Sequence, residues 1–174
     1  PAETANSQQT INNIKYLIKN NCEVSLVFPL REKKSSDSIN EIKKFYDINE
    51  SFEVTGLPHD LPFGKIKLFN KIAFHISHYL WSRKTVKKYC QGSSEVDIFI
   101  TRSDWVFYFL LKNGKKVVFE CHQLSKLRKI ILNLGLKNKN AKIIFLNSKL
   151  RDNFIKKISN FNSIVLHNGV DLES

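Results

Sequence analysis

The sequence predicts a single α/β domain, a Rossmann-like, doubly wound parallel sheet flanked by helices, and three observations carry that expectation. Short apolar, β-rich runs alternate with longer stretches whose apolar residues fall three and four apart, the periodicities of strands and of helices. Runs such as Lys116-Val-Val-Phe119 and Lys142-Ile-Ile-Phe-Leu146 are apolar throughout rather than alternating, as a sheet covered on both faces requires. The βαβα order that results calls for parallel strands.

Taken in order, Ile11, Ile14, Leu17 and Ile18 stripe a first helix, and a strand follows over 24–28. Ser38 with Glu41 three residues later forms a capping box for a helix carrying Ile39, Ile42 and Phe45. A strand over 52–55 leads into a loop at 57–64 that holds two prolines and a glycine. The longest helical stretch, 63–89, places Ile66, Phe69, Ala73, Ile76 and Leu80 on a core stripe. A strand over 96–101 runs into Thr101-Arg-Ser-Asp104, which opens a helix, and the next strand covers 116–120. Leu124, Leu127, Ile130, Ile131 and Leu134 stripe another helix, with Gly135 placed to form a left-handed cap. A strand over 142–146, a helix bearing Leu150, Phe154, Ile155 and Ile158 with Asn147 or Ser148 as its cap, and a strand over 164–166 complete the pattern. Residues 1–6 have the look of a strand-to-helix loop with no strand ahead of them, and the chain opens at Pro1 with no Met, so a first strand is expected upstream.

The 174 residues and 42% hydrophobic content are enough for a real core and exclude a disordered or collagen-like chain. A net charge of +12 favours phosphate-bearing partners such as nucleotides, nucleic acid or anionic lipid. Cys22, Cys90 and Cys121 are odd in number and lack zinc or C-x-x-C spacing, which reads as structural thiols in a reduced compartment. No apolar run reaches the about 18 residues of a membrane span and no signal peptide is present, so a cytoplasmic protein is expected. His59, His75 and His78 read as surface or interface residues, because no carboxylate or third imidazole completes a metal site around them.

Ligands of open parallel sheets sit outside the carboxyl ends of the strands, so the segments that follow strands are the ones to inspect. They are 1–7, 101–104, 120–122 and 167–171. His122, two residues past a strand and beside Glu120, can titrate near neutral pH and hydrogen-bond a sugar hydroxyl; the competing reading is a loop histidine that satisfies a carbonyl. Arg102 can clamp a phosphate or carboxylate, or simply be a solvated arginine. Thr4, Asn6 and Ser7 suit either ligand contacts or an N-cap.

Segments in this order, Pro1-Ala-Glu-Thr-Ala-Asn-Ser7 with the strand Cys22-Glu-Val-Ser-Leu-Val-Phe-Pro29, Asp97-Ile-Phe-Ile-Thr-Arg-Ser103, Val117-Val-Phe-Glu-Cys-His122, Ile144-Phe-Leu-Asn-Ser-Lys149 and Val165-Leu-His-Asn-Gly-Val-Asp171, resemble the amino-terminal half of GT-B fold, GT4-like glycosyltransferases. The loop before the first helix lacks the glycine pair many relatives carry, and Cys22 stands where they have His. The resemblance implies a hexosyltransferase of polysaccharide biosynthesis that moves a sugar from a nucleotide-sugar donor to a glycan or lipid-linked acceptor, retaining, metal-independent and without a cofactor. It implies that this chain is the acceptor-side domain, inactive alone, with the donor held mainly by a carboxyl-terminal domain beyond it. His122 then matches the catalytic histidine facing the transferred sugar; Thr4, Asn6, Arg102, Ser103 and Glu120 match acceptor-side positions; Asn168, Gly169 and Asp171 match the interdomain segment.

The basic stretch 63–89, with Lys65, Lys67, Lys71, Arg83, Lys84, Lys87 and Lys88 and surplus aromatics, fits peripheral contact with an anionic membrane, on the inner face of the cell membrane. The competing reading is a core helix with a solvated basic face. Two further functions compete with sugar transfer: a nucleotide-sugar epimerase of GT-B architecture, and a basic nucleic-acid-binding domain. Spread lysines and the absence of any nucleic-acid-binding signature weigh against the last, so nucleic acid is not an expected partner.

Overall fold

A computed structural model describes residues 5–30, 36–59, 70–91, 96–155 and 162–167. Along the chain run α1 (Ala5–Lys19), β1 (Ser25–Leu30), α2 (Ile39–Tyr46), β2 (Glu53–Pro58), α3 (Asn70–Gln91), β3 (Phe99–Thr101), α4 (Asp104–Lys112), β4 (Val117–Cys121), α5 (Lys126–Leu136), β5 (Ala141–Phe145), α6 (Ser148–Ile155) and β6 (Ser163–Val165). The architecture is α/β, with every strand pairing in parallel, in a two-stranded sheet β1-β2 and a four-stranded sheet β3-β4-β5-β6. The chain divides into two compact units, 1–77 and 78–174.

In the first unit β1 and β2 run in register from Ser25 opposite Glu53 to Leu30 opposite Pro58. The apolar faces of α1 and α2 bury Ile11, Ile14 and Ile42, with Ile48, against Leu26, Phe28 and Val54. The expected capping box at Ser38 does not form. Ser38 is the extended N-cap residue, but its side chain makes no cap hydrogen bond, and its own N–H donates to Ser36 Oγ at 3.1 Å. The helix is seated instead through the Ser38 carbonyl, which accepts from Ile42 N–H at 3.1 Å.

The second unit holds the larger core. Strand register places Phe99, Val117, Phe119, Cys121, Ala141, Ile143, Phe145 and Val165 on one face of the sheet. Phe107, Leu110 and Leu111 of α4, Ile131 and Leu132 of α5, Phe154 of α6 and Val86 of α3 pack there. Opposite lie Ile100, Val118, Glu120, Lys142, Ile144 and Ile164, and there burial is poor: Ile100 and Ile164 keep 52% and 53% of their surface exposed. Apolar composition on both sides of the strands therefore coincides with burial of one side, among the described residues.

Helix α4 ends on Gly114, whose φ of 72° is the left-handed conformation glycine adopts without a Cβ penalty. There Gly114 N–H donates to the Leu111 carbonyl at 3.0 Å and Lys115 N–H to the Leu110 carbonyl at 3.1 Å. This pair of bonds is a Schellman closure. Gly135 was expected to play that part for α5 and does not: it lies inside the helix, whose last turn runs on to a right-handed Lys137. The glycine is needed for space, because a Cβ there would overlap the ring of Phe107 and meet Leu111 Cδ1 at 3.0 Å.

The expected core stripe of the long helix is also corrected. Ile76 and Leu80 are 52% and 46% exposed, while Ser77, Trp81, Ser82, Thr85 and Val86 are buried. Between them Tyr79 sets its ring edge-on to Trp105 at 4.9 Å and to Phe109 at 5.2 Å. Residues 60–69, which carry Ile66 and Phe69, lie outside the described residues.

Candidate functional site

Parallel pairing of β3 with β4 sets Thr101 opposite Phe119, so the next residues along, Arg102 and Glu120, emerge level with one another at the carboxyl end of the sheet. Their charges meet there, Arg102 Nε donating to Glu120 Oε2 at 2.6 Å. Two residues beyond Glu120, the His122 imidazole places Nε2 3.5 Å from the same Oε2, a contact too long for a well-formed hydrogen bond. The three side chains are 23%, 12% and 20% exposed, so the cluster is largely withdrawn from water yet reachable.

Burial lowers the His122 pKa below its ordinary 6.5, and the Arg102 guanidinium pushes it the same way, against the opposing pull of Glu120. The imidazole is therefore neutral at pH 7, and its Nε2, beside the Glu120 carboxylate, is itself closed off from solvent. A depressed folded-state pKa means that the unfolded chain takes up the proton first as pH falls. The stability His122 contributes is then fully present above 6.5 and is lost as pH drops through its lower folded-state value. Denaturant midpoints measured from about pH 8 down to about pH 5 are expected to fall less for His122→Gln than for the unaltered chain; identical acid limbs would refute the lowered pKa.

The helix-side half of the site is built on two caps. Ser103 is the N-cap of α4, its Oγ accepting from Val106 N–H at 3.3 Å, and the same Oγ lies 2.8 Å from His78 Nε2 on α3. Ser103 N–H in turn donates to Thr101 Oγ1 at 3.1 Å. Ser125 caps α5 by accepting from Arg128 N–H at 3.1 Å. Asp104, in the first turn of α4 where a carboxylate complements the helix dipole, is forked by Arg128, whose Nε lies 2.6 Å from Oδ1. Burial raises the Cys121 thiol to about 11, partly offset by Arg128, so this fully buried thiol stays protonated and inert as a nucleophile.

Of the sequence-predicted site residues, Arg102, Ser103, Glu120 and His122 come together at one end of the four-stranded sheet. Asn6 lies in the first turn of α1, in the other unit. Thr4, Asn168, Gly169 and Asp171 lie outside the described residues. Sequence reasoning included Asp104 in an inspected segment without giving it a role, and missed Arg128 and also His78, expected at the surface or an interface and bonded to Ser103. Asp104 at the first position of a helix was a usable signal; nothing in the local sequence marks the long-range partners of His78 and Arg128. Among the described residues, no group of His, Cys, Asp and Glu is arranged to hold a metal ion, and no helix is long and apolar enough to cross a membrane.

No protein-family model, no curated protein and no solved structure matches the chain.

Proposed function

We propose that this chain forms the acceptor side of a GT-B, GT4-like glycosyltransferase, which passes a hexose from a nucleotide-sugar donor to a glycan or lipid-linked acceptor without a metal ion. The observation that carries the reading is the Arg102, Glu120 and His122 cluster at the carboxyl ends of adjacent parallel strands, the place where open α/β sheets bind their ligands. A neutral, mostly buried imidazole there is suited to hydrogen-bond a reacting sugar, beside a Glu120 carboxylate held by Arg102. The ordered set of sequence segments adds the second line of support.

The test is sugar transfer by the protein expressed from its whole reading frame, with labelled nucleotide sugars and a membrane extract as acceptor source. His122→Ala is expected to lower turnover tenfold or more, about 1.4 kcal/mol in the barrier. Unchanged kinetics would overturn the role of His122, and no transfer from any donor would overturn the reaction.

Peripheral contact with an anionic membrane through the 63–89 stretch belongs to the same reading. It is supported by Ile72, Ile76 and Leu80, exposed and four residues apart on α3, and by the exposed Arg83, Lys84, Lys87 and Lys88 further along that helix. Flotation with vesicles is expected to carry the chain when about a third of the lipid is anionic, and to lose it with neutral lipid or after charge reversal of these four basic residues, each worth about 1 kcal/mol. Equal binding to neutral vesicles would refute the electrostatic part.

A further inference from the structure

We infer that Arg128 is the positioning residue for His122, holding the loop that carries the imidazole to the framework of the helices. The inference rests on the reading that His122 is the reacting group. The loop after β4 spans 122–125 and turns into α5. Its Gln123 carbonyl, on the residue after His122, accepts from Arg128 Nη1 at 2.8 Å and from the Cys121 thiol at 3.5 Å. The other arm of the same guanidinium is spent on Asp104, Nε at 2.6 Å from Oδ1 and Nη2 at 3.4 Å from Oδ2. Its plane lies over the buried Phe119 ring, 5.5 Å from the centroid. One planar cation therefore ties together the start of α4, the core of β4 and the backbone beside His122. A lysine cannot do this, because its ammonium is a point charge without the rigid fork.

Arg128 is 15% exposed, so its charge is committed to these partners rather than to solvent. A residue that merely tied α4 to α5 would need Asp104 alone; the bond to the Gln123 carbonyl adds nothing to that tie and fixes the loop instead. The charged groups around the imidazole are Arg102 beyond β3, Glu120 on β4 and Arg128 on α5, with Asp104 of α4 behind Arg128. Loss of Arg128 removes one positive charge and loosens the loop, and both changes favour the protonated ring.

The experiment follows the His122 ring by NMR titration and the amide exchange of residues 123–125, in the chain and in Arg128→Met, Arg128→Lys and Asp104→Asn, each first checked for cooperative unfolding. Arg128→Met is expected to raise the His122 pKa and to speed exchange in the loop by about tenfold. Arg128→Lys, the variant that keeps the charge, is expected to speed exchange while leaving the titration nearer its original position. Asp104→Asn leaves the Gln123 bond and an uncompensated Arg128, so the His122 pKa is expected to stay or fall. A folded Arg128→Met or Arg128→Lys with original loop exchange would overturn the inference, as would Asp104→Asn raising the His122 pKa as far as Arg128→Met does. None of these readouts needs a sugar. Failure of sugar transfer with positive NMR results removes the proposed reaction and leaves the positioning role, whereas the reverse pattern removes Arg128 alone.

Discussion

Phe107→Ala is expected to cost about 3–5 kcal/mol, a large share of the about 5–15 kcal/mol that stabilises a domain. The ring is fully buried, packs on the equally buried Phe119 with centroids 5.1 Å apart, and closes over Gly135 of α5. Nothing nearby can flow into the space, because the neighbours are strand and helix side chains already held at close packing. Gly135→Ala attacks the same contact from the other side. Overpacking costs about 1–3 kcal/mol, of which the helix preference of Ala over Gly returns about 0.5–1 kcal/mol. The two changes should be far from additive, since the cavity left by Phe107→Ala receives the Gly135→Ala methyl. Denaturant unfolding of both single variants and the double variant checks this; additive losses would mean that the helix does not meet the ring as described.

Glu120→Gln is expected to lower stability by about 1.5–3 kcal/mol and to shift the titration of His122 further down. The carboxylate is 12% exposed and accepts the 2.6 Å bond from Arg102, which a neutral amide oxygen would accept without the opposing charge. Its charge is also what draws the imidazole pKa upward, so its removal leaves burial and Arg102 unopposed. Unfolding curves and an NMR titration of the ring read the two effects separately. A His122 pKa that rises in Glu120→Gln would refute the electrostatic arrangement of the site.

Much of this fold was legible because hydrophobic periodicity is local. The six strands among the described residues overlap the predicted apolar runs, β2 continuing to Pro58 into the expected loop, and Asn147, one of the two cap candidates, caps α6, its Oδ1 accepting from Leu150 N–H at 2.7 Å. The failures came where a three-dimensional neighbour decides. Gly135 has the position of a helix stop but is demanded by a ring far away in sequence, and Ser38 has a capping-box partner yet a competing hydroxyl two residues earlier. On α3 the apolar residues exceed what one face can bury, so spacing alone could not say that Trp81 and Val86 would go inward and Ile76 and Leu80 outward. The candidate site divides the same way. Glu120 and His122 share a segment and Arg102 follows a strand, all visible positions, whereas the bonds from Arg128 to Asp104 and from His78 to Ser103 join residues 24 and 25 apart in sequence.

The strands of the larger sheet follow one another in sequence from edge to edge, and that order fixes the hand of the whole unit. Each β-to-β crossover is right-handed in nearly every protein, so three crossovers advancing in one direction must drop α4, α5 and α6 on the same flank. None of them can be swung round to shield Ile100, Ile144 and Ile164 on the other flank without reversing chirality. Those isoleucines therefore mark a flank that the three crossover helices leave without a roof among the described residues.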